Sequence, residues 1–78
     1  MLEAALKHLV AGIVDHPDAV QVDTRSTPRG DVLEVRVDPA DLGRVIGRAG
    51  RTAKALRTVI GALADGRPVR VDVVDVDR

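Results

Sequence analysis

Between residues 42 and 64 the chain carries Arg44, Arg48, Arg51, Lys54 and Arg57 and no acid at all. Two glycines, Gly47 and Gly50, stand in the middle of this run, directly after Val45 and Ile46. Glycine has no Cβ, so a bulky anion can approach the main chain closely there. A helix that starts just after Gly50 presents unpaired N–H groups and the positive end of its dipole, which together bind anions. Arg48 and Ala49 lie inside the turn, and Arg51, Lys54 and Arg57, three apart, drift slowly round one face of the helix that follows. Residue types and spacing together describe a site for phosphate. A nucleotide-triphosphate loop is excluded, because no Gly-Lys-Ser/Thr follows the glycines. A dinucleotide fingerprint fits poorly, since the turn joins helix to helix rather than strand to helix.

The elements that must position this turn can be read from periodicity. Leu2, Ala5, Leu6, Leu9, Val10, Ile13 and Val14 keep the i, i+3, i+4, i+7 spacing of an amphipathic helix. Asp15-His16-Pro17 ends it, because the residue before a proline avoids the α region. Val20 and Val22 alternate with polar residues, so 19–25 is predicted as a half-buried strand. Ser26 to Asp31 is a turn cluster, and Leu33, Val35 and Val37 then alternate with Glu34, Arg36 and Asp38 as a second strand. The two strands are expected to form an antiparallel hairpin with a loop longer than two residues.

Asp38-Pro39-Ala40-Asp41 marks a helix start, with Asp38 as cap, Pro39 at the first position and Asp41 favouring the positive dipole end. The short helix it opens spans roughly 39–46 and holds Leu42, Val45 and Ile46 on its apolar side. After the glycine turn a longer helix runs from about 51 to 64, with Ala53, Leu56, Val59, Ile60 and Leu63 on one face. Gly66 suits its C-cap, and Pro68 forbids continuation. Val69 to Val76 is a third strand whose alternation slips after Val73, which suggests a bulge or a strand end buried on both faces. The order is α-β-β-α-α-β, an α+β fold in which a three-stranded sheet has its helices on one face.

Composition narrows the function classes. The 78 residues fit one domain, 1–78, and hold 12 Lys+Arg against 12 Asp+Glu. The neutral total is a sum of opposed regions: +5 over residues 42–64 and −5 over the rest, where seven basic residues face twelve acidic ones. There is no Cys, which excludes disulfides, thiolate metal sites and cysteine nucleophiles. No apolar run approaches the ~18 residues of a membrane span, and the charged start does not resemble a signal peptide, so a cytoplasmic protein is expected. There is no Phe, Tyr or Trp. That removes the stacking platform of aromatic single-strand readers and leaves binding to phosphate contacts and small aliphatic side chains.

Other chemistry-bearing residues have simpler explanations. His8 lies beside the apolar face of the first helix, and His16 helps to end that helix without partners at metal-ligand spacing. Asp72, Asp75 and Asp77 fit a solvated strand end. Ser26, the only serine, sits in a turn, where no Ser/His/Asp arrangement can be built. Gly43 and Gly47, four apart, would permit close helix packing or a dimer contact. With no acid/base pair, nucleophile, metal set or cofactor motif, an enzyme is not expected. The competing reading is a protein-interaction or dimerisation module whose glycine turn is only a corner.

Val45-Ile46-Gly47-Arg48-Ala49-Gly50-Arg51 resembles the V-I-G-x-x-G-[KR] core of KH domains, whose Gly-x-x-Gly loop clamps nucleotide backbone. Thr52-Ala53-Lys54-Ala55-Leu56-Arg57-Thr58-Val59, with Val14-Asp15-His16-Pro17 upstream, is similar to the small single-KH RNA-binding proteins of bacteria, the KhpA (YlqC-like) family. The resemblance covers essentially the whole chain. It implies a type II KH arrangement, single-stranded RNA as ligand, and an RNA-chaperone or post-transcriptional role. It also implies a homodimer, or a heterodimer with a larger multidomain KH protein of the KhpB (Jag) type. Carried over by position, Gly47, Arg48, Ala49 and Gly50 form the clamp. Val45 and Ile46, with apolar residues of the second strand such as Leu33, Val35 or Val37, border the base groove. Ala49 and Thr52 depart from the family's commoner polar and aliphatic residues. Gly47→Asp together with Gly50→Asp is expected to abolish RNA binding and leave the fold intact.

Overall fold

The computed structural model describes residues 2–74. Its first helix, α1, spans Leu2–Ala11. It stops short of the expected Asp15, because Gly12 follows and the Ile13 N–H turns back to the Val10 carbonyl at 3.0 Å. A 3-10 turn at Pro17–Ala19 leads into β1, Gln21–Thr27, which pairs antiparallel with β2, Gly30–Arg36. Another 3-10 turn, Pro39–Asp41, opens α2, Leu42–Ile46. A turn at Arg48–Gly50 joins it to α3, Arg51–Leu63, and β3, Val69–Val73, completes the sheet. The helix–strand order is the one expected from periodicity.

The sheet order is β1-β2-β3, with β3 parallel to β2. Parallel neighbours need a crossover, and α2 and α3 supply it. Registers Val22↔Val35↔Val73 and Thr24↔Leu33↔Val71 place these residues on one face. That face meets the helices. Leu33, Val35 and Val71 are buried there with Leu6 and Val10 of α1 and Leu56 and Ile60 of α3. Burying each of these side chains contributes about 1.5–3 kcal/mol. The opposite face carries the rows Asp23–Glu34–Asp72 and Arg25–Val32–Arg70.

Three local expectations change. The hairpin loop has only two residues, Pro28 and Arg29, because Thr27 pairs with Gly30 and Ser26 with Asp31. The Thr27 hydroxyl donates to the Gly30 carbonyl at 2.6 Å and accepts from the Arg29 N–H at 3.2 Å, which closes the turn. β3 ends at Val73, although the Val74 N–H still reaches the Val35 carbonyl at 2.9 Å. Asp75, Val76 and Asp77 lie outside the described residues. The C-cap of α3 is Ala64 rather than Gly66; Asp65 and Gly66 follow with left-handed φ of 53° and 86°.

Candidate nucleic-acid interface

The glycine turn is held from beneath by a polar anchor. α2 has only five residues, too few to be stable alone. Asp38 caps the turn before it, accepting from the Ala40 N–H at 2.9 Å. Asp41, read above as a dipole residue, is instead buried. Its carboxylate accepts from the backbone N–H groups of Asp15 and His16 at 3.2 and 3.0 Å, and His16 Nδ1 lies 2.9 Å from Oδ2. The anchor ties the α1–β1 connection to the start of α2. Burial acts to raise the Asp41 pKa, but the His16 hydrogen bond and the two backbone donors outweigh it and hold the pKa below its ordinary value. The same hydrogen bond, helped by the Asp38 charge, raises the pKa of His16. No periodicity pointed to this pair. The one signal was an acid inside a predicted helix start at a position that must face the core.

At the far end of α2, Val45 is fully buried and fixes the helix to the core. The backbone then reverses through Gly47 (φ 78°, ψ 169°), Ala49 (φ 56°, ψ 25°) and Gly50 (φ 74°, ψ 15°). Three of the four residues of the turn therefore have positive φ. For Ala49 this costs about 1–2 kcal/mol, a strain that the surrounding helices hold in place. Gly50, the N-cap position of α3, provides no side-chain cap. Its own N–H donates to the Gly47 carbonyl at 3.1 Å and the Arg51 N–H to the Arg48 carbonyl, so the dipole end rather than a set of free donors is what the turn presents.

The five cations fall into two groups. Arg44 is paired with Asp15 at 3.2 Å. Arg57 turns to the sheet and donates Nε–H to the Val71 carbonyl at 3.1 Å, on the free edge of β3. Arg48, Arg51 and Lys54 are exposed and make no ion pair among the described residues. These three, on the turn and the first turn of α3, form the cationic rim of the helix start. Of the groove residues, Leu33, Val35, Val37 and Val45 lie in the core, so the aliphatic surface beside the turn is Ile46, which is 39% exposed.

The glycines also differ. A Cβ on Gly47 would strike the Thr52 side chain and backbone N–H, whereas a Cβ on Gly50 meets nothing within 4 Å. Gly47→Asp therefore perturbs the fold as well as the site; Gly50→Asp meets no clash and carries only the strain of a side chain at φ 74°. Gly43 likewise faces open space rather than a packed helix. Among the described residues no cluster of three or more His, Cys, Asp or Glu could hold a metal ion, and no helix is long and apolar enough to cross a membrane.

A family model described as "KhpA/KhpB, KH domain" matches residues 3–76, an interval that spans all the elements above but for the first residue of α1. The chain belongs to the KhpA/KhpB KH-domain family. It is 75% identical over 75 residues to the RNA-binding protein KhpA of Leifsonia xyli, covering 96% of this chain and 99% of that one. It is 71% identical over 77 residues to KhpA of Streptomyces coelicolor, covering 99% of this chain and 96% of that one. KhpA of Mycobacterium tuberculosis is 58% identical over 74 residues, covering 95% and 91% respectively. In this chain the helix–turn–helix at 42–63 carries the Gly-x-x-Gly pattern, with left-handed backbone at Ala49 and a cationic rim.

Proposed function

We infer that residues 1–78 act as a single KH domain that binds single-stranded RNA by its backbone, as an RNA chaperone or post-transcriptional regulator in the cytoplasm. The observation that carries this is the start of α3, without a side-chain cap, framed by Gly47 and Gly50 and rimmed by Arg48, Arg51 and Lys54. A phosphate seated there meets the positive dipole end and pairs with the rim cations. The relatives' printed name, RNA-binding protein, points to the same ligand. Without aromatic side chains the bases gain little stacking, so sequence preference is weak and salt sensitivity strong. The role is binding rather than catalysis.

Self-association, or pairing with a larger KH protein of the KhpB type, has its own support. Val59 and Leu63, one turn apart on α3, are 43% and 54% exposed. Apolar side chains at that spacing make a stripe suited to a partner helix.

Fluorescence anisotropy with a mixed-sequence RNA oligomer tests the clamp. Arg48→Glu combined with Gly50→Asp is expected to weaken binding at least tenfold while thermal unfolding stays cooperative. Wild-type affinity in that folded double variant would remove the clamp from the account.

A further inference from the structure

A well-formed cavity lies away from the glycine turn. A cleft of about 480 Å³ opens at the other end of the sheet, where the β1–β2 hairpin meets the connection into β3. Three arginines from separate segments line it: Arg25 of β1, Arg29 of the hairpin turn and Arg70 of β3. The register Arg25↔Val32↔Arg70 sets two of them on either side of Val32, on the face away from the helices. With strands about 4.8 Å apart, their Cα atoms stand roughly 10 Å from each other. Two long guanidinium arms can close over one phosphate from that separation, with Arg29 above.

The cleft is firmly built. The Asp31 N–H donates to the Pro68 carbonyl at 3.1 Å, and Gly30, at φ 123°, lets Pro68 lie where a Cβ would collide. Arg29 and Arg70 make no ion pair among the described residues, and Arg25 is held only loosely, 3.6 Å from Glu34. Asp31, the one acid in the lining, shares the helix-side row with Ser26 and accepts from its hydroxyl at 3.3 Å. Next along the outer face lies the acidic row Asp23–Glu34–Asp72, which repels a strand running further across the sheet.

We propose that this arginine cleft is a second phosphate site, taking the backbone of a separate RNA segment. The proposal rests on the chain being an RNA binder but not on the glycine turn. α3 runs from that turn back to the cleft's end of the sheet, and its thirteen residues span about 20 Å at ~1.5 Å per residue. One chain then holds two RNA segments at opposite ends, as a protein that brings strands together requires.

The test is calorimetric titration of the full chain with a mixed-sequence RNA tetranucleotide at low salt. The wild type takes up two equivalents per chain. Arg29→Glu with Arg70→Glu, and the neutral Arg29→Ala with Arg70→Ala, each take up one, as does Arg48→Glu with Gly50→Asp. Arg29 and Arg70 are both exposed, and a thermal melt reports the folding of the variants. One equivalent for the wild type, or unchanged uptake in the folded Arg29/Arg70 variants, overturns the proposal. Loss of all binding in the Arg48/Gly50 variant also removes the cleft and leaves the glycine clamp standing. Full retention there, with loss only in the Arg29/Arg70 variants, does the reverse. Inorganic phosphate displacing the tetranucleotide from the cleft at equal concentration would make it an anion site rather than an RNA site.

Discussion

Removing the rim cations one at a time has a consequence that the ion pairs make quantitative. Arg48, Arg51 and Lys54 make no ion pair among the described residues, whereas Arg44 is held by Asp15 and Arg57 donates to Val71. For a single strand, log K falls against log salt with a slope of about −0.7 per neutralised phosphate, so three contacts give about −2.1. Raising salt from 50 to 200 mM, a fourfold change, then weakens binding at this site ~18-fold; with two contacts the loss is only ~7-fold. Each of Arg48→Ala, Arg51→Ala and Lys54→Ala is expected to make the slope shallower by about 0.7. Arg44→Ala and Arg57→Ala are expected to change it much less, and Arg57→Ala to lower stability by freeing the Val71 carbonyl at the edge of β3. Anisotropy titrations at four or five salt concentrations give the slopes. Equal changes at all five positions would mean that the internal partners do not matter. No change at Arg48, Arg51 and Lys54 would remove the rim from the site.

Three further outcomes concern the scaffold. His16 has a raised pKa in the folded chain, so its contribution is complete below its unfolded value of 6.5 and is lost as pH rises through the folded one. Asp41 has a lowered pKa, so its contribution is complete above 3.8 and is lost as pH falls through the folded value. Urea unfolding should show greatest stability from this pair between about pH 4.5 and 6, and His16→Gln should abolish the decline from pH 6 to 8. Ile60→Ala empties a fully buried position and is expected to cost about 2–5 kcal/mol, a large share of the roughly 4–12 kcal/mol available to a chain of this size. A thermal melt would show it. Gly61→Ala lies within α3 with nothing within 4 Å of the new Cβ, and should stabilise by about 1 kcal/mol, read as a higher urea midpoint.

Much of the fold is legible in residue periodicity because each core face repeats cleanly. Leu33 and Val35 on β2 and Leu56 and Ile60 on α3 are apolar at their element's own period, and all four are buried. Ends were less legible, since they depend on single hydrogen bonds rather than on pattern. α1 stops at Ala11 although Ile13 and Val14 continue its stripe, and the hairpin tightens because Thr27 and Gly30 close it. In the candidate site, the turn and its charge run could be read from Gly47, Gly50 and the absence of acids. Two things could not. Arg44 and Arg57 find partners 29 and 14 residues away, and distant pairing leaves no local mark. Arg25, Arg29 and Arg70 are scattered along the sequence and meet only through the register of three strands.

The central claim is that RNA backbone sits on the glycine turn and the start of α3. Amide chemical-shift mapping of the 15N-labelled chain, titrated with single-stranded RNA, tests it most directly. The account predicts large shifts for the N–H groups of Arg48, Ala49, Gly50, Arg51 and Thr52, whatever moves elsewhere. Saturable RNA binding that leaves those five amides unmoved would contradict it.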